Sequence, residues 1–501
     1  MKKSKIARAL LFVLLILSVA AAVWQILVLN MLPTKYLAAL FGGIALLVLI
    51  AAFFVFKKGK DNKLTKVRRG FGYFLIVVVM VLCILLTYFV GRLNQTVSSI
   101  TSDTQTSNVI GVYVLKDNKA QNIMDAEKYN FAITEQFDYD NTKLAMEDIN
   151  SKVGSDITTT TYDHVDGMID ALYREDVDAL IINQSYISLL EEQEKYSLFE
   201  TDTRCIYTFE IIEEAPEEES ETEEELSVTE KPFIVYISGN DTLTKKLQTS
   251  RSDVNILAVV NPQTKQILLL NTPRDAYVET TQSKNHSKDK LTHCGLYGID
   301  CSISTLENFY DIEVDYYAQI NFTGFEKLVD DLDGITVTCE KSFTSADGFH
   351  YSKGENYLDG EEALSFVRER DAFGDGDYQR GRDQMIAIEA ILDKARTSPA
   401  VLQNYGDILT DLEGMFITDM SSDDMSALVK MQIDDNVDWT ITSYGIWGEG
   451  KSKTTFSVPN QRAYVMIPND ETVEFAQKLI QMTIDGEPIT DEVMAEAPVE
   501  Y

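Results

Sequence analysis

Hydrophobic positions change their spacing several times along the chain. Residues 9–29, 36–56 and 71–90 are nearly unbroken apolar runs, each close to the ~20 residues a helix needs to cross a bilayer. They predict three transmembrane helices, with burial in a large soluble core as the alternative. Lys2, Lys3, Lys5 and Arg8 precede the first run as they would in a signal peptide. Two further spans follow without a convincing small-residue cleavage site, so the first run is read as a retained helix. The loop "KKGKDNKLTKVRRG" holds Lys57, Lys58, Lys60, Lys63, Lys66, Arg68 and Arg69, whereas the turn around Pro33 holds only Lys35. Basic loops stay in the cytoplasm, so three crossings place everything after Arg92 outside the cell. The expectation is a multi-pass protein of the cell membrane with a large extracellular region.

Past the membrane region, residues 1–92, the pattern turns polar. Residues 93–108 are Ser/Thr-rich and suit a stalk. From 109 to 212 short apolar runs alternate with amphipathic ones. "NVIGVYVL" reads as a strand, "EKYNFAITEQ" and "NTKLAMEDINSKV" are compatible with helix, and "GMIDALYREDVDALIINQSY" reads as helix, turn and strand. This is a small α/β domain. Residues 213–231, including "EEAPEEESETEEEL", are acidic and poor in apolar residues, as expected of a solvated linker or, alternatively, a cation-binding tract.

A larger domain follows, with a core at 232–400, a C-terminal part at 401–484 and a tail at 485–501. "PFIVYISG", "VNILAVV", "QILLLN", "VDYYAQIN", "ITVTCE" and "WTITSYGIW" are strand-like. "GIDCSISTLENFYD", "FTGFEKLVDDLDG" and residues 360–370, 378–396, 421–432 and 471–484 read as helices. Such alternation predicts an α/β/α layered domain around a central mixed sheet.

The net charge of −35 argues against nucleic acid as a partner, because phosphate backbones need a positive field. Cys205, Cys294, Cys301 and Cys339 would lie outside the cell, where a bridge such as Cys301–Cys339 is permitted. The absence of C-x-x-C and the scarcity of His argue against zinc.

Against this acidic background the arginines cluster. Arg251 and Arg274 flank paired strands, Arg368 and Arg370 close one helix, and Arg380 and Arg382 open the next. Each could pair with a nearby acid, as Arg370 with Asp371. As a set they suit a phosphate site, which guanidinium groups recognise through paired hydrogen bonds. Arg274 and Asp275 follow a strand end, where open α/β sheets hold ligands. Arg380 and Gln384 share a helix face, and Arg380 falls in the first turn, where free N–H groups attract anions. Asp241 and Asp253 bracket "DTLTKKLQTSRSD" and are either turn acceptors or ligands of a hard oxygen-loving ion such as Mg²⁺. "DAFGDGD", with Asp371, Asp375 and Asp377, lacks the downstream Glu of a calcium loop and reads as a flexible loop. His293 could serve as a base, although a lone His is more often structural.

"SRSDVNILAVVNPQTKQILLLNTPRD", "DKLTHCGLYGID", "VDYYAQINFTGFEKLVDDLDGITV" and "LDGEEALSFVRERDAFGDGDYQRGRDQ" together resemble the LytR-CpsA-Psr (LCP) family of Gram-positive envelope proteins. The spans and the small domain are similar to its capsule-attachment branch, with an accessory domain. The resemblance implies a phosphotransferase of cell wall biogenesis. It would move a glycopolymer of capsule or teichoic acid type from an undecaprenyl-pyrophosphate carrier to peptidoglycan, using Mg²⁺ or Mn²⁺. It implies metal-holding roles for Asp241 and Asp253 and pyrophosphate contacts for Arg251, Arg274, Lys290, Arg368, Arg370, Arg380 and Gln384. Arg274, Asp275, Arg368, Arg370 and Arg380 would take part in catalysis, with Asp275 as the acid of the family's Pro-Arg-Asp motif. Cys294 departs from the family's small residue at that position. A long apolar groove for the lipid would lie between the sheet and the helices at 322–332 and 378–396, unless those faces are ordinary core. The other readings are an envelope-associated regulator of transcriptional-attenuator type, and a polyprenyl-pyrophosphate hydrolase or lipid-binding module.

Overall fold

The computed structural model describes residues 2–57, 63–102, 106–135, 138–191, 193, 195–213, 227–244, 246–283, 285–374, 376–397, 408, 410–435 and 438–498. The acidic tract at 214–226 and Asp375 lie outside the described residues.

Three apolar helices open the chain: α1 (Lys2–Leu29), α2 (Thr34–Phe56) and α3 (Lys63–Ser102). All three are long and apolar enough to cross a membrane. They pack through aliphatic side chains, with Leu15, Ala22, Ala51, Val55 and Ile76 buried among them. Most of their large apolar side chains face outward, the arrangement lipid favours. Helix α3 does not stop at the end of the apolar run. The segment expected to be a stalk continues the helix to Ser102, and strand β1 (Thr106–Leu115) begins soon after. No proline interrupts this stretch, and Asn94 Nδ2 is hydrogen-bonded to Oε1 of Gln25 on α1 at 2.9 Å. Polar composition does not by itself end a helix.

The small domain is a five-stranded sheet ordered β3-β2-β4-β1-β5, with β2 (Asn130–Thr134), β3 (Thr158–Tyr162), β4 (Ala179–Asn183) and β5 (Thr203–Glu213). Helix α4 (Tyr139–Val153) covers one face through Ala145 and Ile149. Helix α5 (Val165–Tyr173) covers the other through Met168 and Leu172. The helix-compatible reading of residues 127–136 gives way to strand β2, whose residues Phe131–Thr134 are buried. A strand covered on both faces loses the apolar–polar alternation that announces strands.

The larger domain is built on a mixed six-stranded sheet. Strands β6 (Phe233–Asn240), β7 (Ser252–Asn261) and β8 (Gln266–Asn271) form an antiparallel core. Thr440–Gly445 adds parallel to β8, and the strand Tyr316–Asn321 adds parallel to β6 and is edged by Phe416–Thr418. Residues alternate along β7: Leu257 and Val259 pack beneath the helices Ile299–Tyr310 and Asp470–Asp485, while Ile256 and Ala258 face Met385 of the helix Asp377–Thr397. Helices therefore cover both faces, giving the expected α/β/α sandwich.

The apolar faces of the helices Phe322–Asp331 and Asp377–Thr397 largely close into core, with Val329, Phe366 and Ala387 fully buried. Val228 packs on Phe233, so the end of the expected linker already belongs to this domain. Val493, Met494 and Ala497 of the expected tail also rest on the core. The five cysteines are free, so Cys301 and Cys339 are not bridged. Cys301 lies instead beside Cys294, whose thiol hydrogen-bonds to it.

The domains and membrane helices touch at defined points. Leu296 of the larger domain joins the small domain's core, and Tyr297 meets Tyr186 edge to face at 6.5 Å. Lys35, at the start of α2, pairs with Asp434 at 3.0 Å, and Ser426 donates to the Leu29 carbonyl at 3.1 Å.

Candidate functional site

The sheet's directionality gathers the chemistry. Strands β6 and β8 and the strands Tyr316–Asn321 and Thr440–Gly445 all run the same way, and antiparallel β7 starts where they end. Asp241, Arg274, Phe322 and Trp447 after the strand ends, and Arg251 and Asp253 at the start of β7, thus converge at one edge. The helix Gly360–Arg368 delivers Arg368 there, with Arg370 just beyond it, and the helix Asp377–Thr397 begins there with Arg380 in its first turn. The expected helix at 360–370 therefore ends two residues early, and Asp377 opens a helix rather than lying in a free loop.

Two adjoining clefts result. One, about 960 Å³, is lined by Arg251, Arg274, Asp275, Lys290, Arg370 and Asp377 among others. Its neighbour, about 350 Å³, is lined by Asp241, Arg251, Asp253, Arg368, Arg370, Arg380 and Gln384. Arg251 and Arg370 border both. The structure thus brings Asp241, Asp253, Arg251, Arg274, Asp275, Lys290, Arg368, Arg370, Arg380 and Gln384 to one or both clefts, whereas Arg382 of the arginine set lines neither and turns to Gln379.

Within them, charges are laid out as pairs. Arg251 Nη2 lies 2.7 Å from Asp241 Oδ2, and Ser250 donates to the other oxygen at 2.5 Å. Arg274 Nη1 reaches Asp253 Oδ2 at 2.8 Å, and Thr292 Oγ1 donates to Oδ1 at 3.3 Å. Lys290 Nζ is 3.0 Å from Asp275 Oδ1, and Arg380 is paired with Asp377. Burial alone would raise the Asp275 carboxyl, but Lys290 and then Arg274 outweigh it and hold its pKa below the carboxylate range. Burial pushes Asp377 the other way, against the pull of Arg380. Arg370 and Asp371 are 3.4 Å apart and both largely exposed, a geometry worth little in water. Arg368 is exposed and stands over the Phe322 ring at 4.9 Å. Gln384 is buried and reaches the Val367 carbonyl at 3.4 Å.

The donor set also bears on a metal. Among the described residues no group of three or more His, Cys, Asp or Glu side chains comes together, so a fully protein-caged ion has no ligands here. Two oxygen-only carboxylates bordering an arginine-rich cleft do fit Mg²⁺, which keeps water and substrate oxygens in its shell.

Several wall residues carried no signal in the sequence. Trp447, Gln461 and Tyr464 come from the C-terminal hairpin region, and Leu189 and Gln193 come from the small domain. Tyr378 stacks on Trp447, with ring centroids 4.0 Å apart. Glu369 is buried beside the smaller cleft; burial opposes its charge, but the backbone N–H groups of Ala372 and Ala346 hold its pKa down.

The model of the LytR_cpsA_psr family matches residues 206–471, more than half of the chain. This protein is a member of the LytR_cpsA_psr family. It is 38% identical over 201 residues to the polyisoprenyl-teichoic acid–peptidoglycan teichoic acid transferase TagU of Enterococcus faecalis, a match covering 40% of this chain and 65% of that relative. To the transferase of the same description called TagT in Bacillus subtilis it is 38% identical over 188 residues, covering 35% and 56%. The chain therefore spans less than two thirds of the length of these curated relatives. Among solved structures, B. subtilis TagV overlays with a TM-score of 0.44 at 27% identity, covering 52% of this chain and 99% of that one. TagT bound to LI-WTA overlays with a TM-score of 0.42 at 28% identity, covering 52% and 94%. In the matched LytR_cpsA_psr segment lie all the arginines and carboxylates of the two clefts.

Proposed function

We propose that this protein is a membrane-anchored phosphotransferase acting outside the cell. It moves a glycopolymer from a polyprenyl-pyrophosphate carrier, undecaprenyl in the simplest case, to a sugar hydroxyl of peptidoglycan. The observation that carries this reading is the pair of adjoining clefts, where Arg251, Arg274, Lys290, Arg368, Arg370 and Arg380 meet Asp241 and Asp253 at one sheet edge. Family membership and the transferase activity of the TagU and TagT relatives support it.

Breaking a pyrophosphate moves negative charge onto the leaving phosphate, and fixed cations in a cleft offset that charge as it develops. Arg274, Arg380 and Lys290 are already oriented by carboxylate partners, so little reorganisation is needed when a diphosphate enters. Asp241 and Asp253 would hold Mg²⁺, or Mn²⁺, which adds charge neutralisation on the phosphate oxygens when bound. Val254, Val367 and Phe322 give the smaller cleft an apolar side suited to the first isoprene units of a lipid.

The test supplies the full-length protein in detergent with lipid-linked polymer, with and without peptidoglycan fragments. Polymer on the fragments and polyprenyl phosphate released in step with it is the expected result. Equal release without acceptor would make the protein a hydrolase, and no turnover at all would leave a regulator or lipid-binding module.

A further inference from the structure

Behind Lys290 lies a histidine–aspartate pair that the phosphate-binding set does not include. Asp289 belongs to the short strand Lys288–Lys290 and His293 to the helical turn Leu291–Cys294 that follows. Both side chains are 1% exposed, and His293 Nδ1 lies 2.6 Å from Asp289 Oδ1.

The rest of the Asp289 carboxylate is occupied by donors. The Lys290 backbone N–H reaches Oδ1 at 2.8 Å, and the Ser457 backbone N–H and hydroxyl reach Oδ2 at 2.9 Å and 2.5 Å. A carboxylate in that setting only accepts, so Nδ1 carries a proton, and in the neutral imidazole Nε2 is then the nitrogen that keeps its lone pair. Among the described residues, Nε2 is buried with no hydrogen-bond partner, yet His293 lines the larger cleft beside Arg274, Asp275 and Lys290. Buried polar atoms are normally satisfied, so an oriented, unpartnered acceptor on a residue that borders a charged cleft points to a ligand hydroxyl.

We propose that His293 is the general base of the transfer and Asp289 its positioning residue, an inference that rests on the transferase reading. The acceptor's O–H proton passes to Nε2. The oxygen's electron pair then forms a bond to the phosphorus that carries the glycopolymer. The bond from that phosphorus to the bridging oxygen breaks, and polyprenyl phosphate leaves with the electron pair. The imidazolium is faced by the Asp289 carboxylate until its proton returns to water. The two carboxylates that line the same cleft, Asp275 and Asp377, are poorer candidates. Asp275 is tied to Lys290, and a carboxylate held down by a cation takes up protons reluctantly, while Asp377 is engaged by Arg380.

The test uses the full-length protein, lipid-linked polymer and soluble peptidoglycan fragments. Wild-type transfer to the fragments is the first requirement, and its absence overturns the transferase reading together with this base. Given transfer, His293→Gln should lower kcat on the order of 10²–10⁴-fold, the range a general base supplies, with KM for the lipid donor unchanged. Asp289→Asn should also lower kcat at constant donor KM, because an amide N–H facing Nδ1 selects the wrong tautomer. If His293→Gln keeps wild-type kcat, the assignment is overturned. It is equally overturned if both variants lose donor binding and thermal stability along with kcat, since that is the signature of a structural pair.

Discussion

One guanidinium nitrogen of Arg274 serves both oxygens of Asp253, at 2.7 Å from Oδ1 and 2.8 Å from Oδ2. The pair ties the loop after β8 to the start of β7, with side chains only 11% and 13% exposed. Arg274→Ala should reduce transfer at least ~10²-fold, as loss of one preorganised donor does elsewhere. It should also cost roughly 3 kcal/mol of stability, because a buried carboxylate loses its partner. Arg274→Lys restores the charge but not the fork, so stability should recover further than transfer does. Transfer assays and thermal melts on the same preparations check this.

Metal dependence follows from the oxygen-only donors. Chelation of divalent ions should abolish transfer, and added Mg²⁺ or Mn²⁺ should restore it. Asp241→Asn and Asp253→Asn should raise the metal concentration needed by roughly tenfold or more, since even outer-shell changes weaken metal sites by ~10–100-fold. Activity titrations against each ion measure the shift, and unchanged requirements in both variants would remove these residues from the metal site.

The Lys290–Asp275 pair should make stability depend on pH. The Asp275 pKa is lowered in the folded state because Lys290 and Arg274 outweigh burial. A lowered folded pKa contributes stability that is present above the unfolded value, ~3.9 for Asp, and is lost as pH falls through the folded value. Lys290→Met should cost about 3 kcal/mol at neutral pH and move the Asp275 pKa upward. The gap to wild type should then narrow in acid, as Asp275 protonates first in the variant and later in the wild type. Thermal midpoints measured down the acid range would show it, and a gap independent of pH would contradict it.

Orientation in the membrane can be read from one thiol. Cys205 is exposed, whereas Cys83, Cys294, Cys301 and Cys339 are buried. Its pKa is raised, chiefly by burial of the sulfur, so labelling calls for mildly alkaline buffer. An impermeant maleimide should label intact cells, and Cys205→Ser should remove the label. Labelling only after the membrane is opened would reverse the assigned topology.

Much of this architecture was readable along the chain because its signals are local. Strands β6, β7 and β8 announce themselves as short β-rich runs, and Arg380 and Gln384 fall four apart on one helix, a spacing that already implied a shared face. What escaped is long-range. Leu189 and Gln193 reach the larger cleft because Leu296 is packed into the small domain's core, and no pattern near residue 190 encodes that docking. Strand β2 was hidden by its burial, and the helical course of α3 by its polar composition. The Asp289–His293 contact needed the turn at Leu291–Cys294 to fold the imidazole back onto the preceding strand, which spacing alone did not distinguish from an ordinary core histidine.

Helix α3 runs on from the third span without a break and packs against the strand Phe416–Thr418 and the helix Ser422–Asp435. From Asn94, where its apolar span ends, to Ser102 it rises roughly 12 Å at 1.5 Å per residue. The larger domain is also pinned beside Leu29 and Lys35. A strut held at several points sets altitude, whereas a tether would only limit reach. For the proposed transferase, newly attached polymer would accordingly be laid down in a single stratum just above the bilayer, and older wall would have to move outward to carry it away.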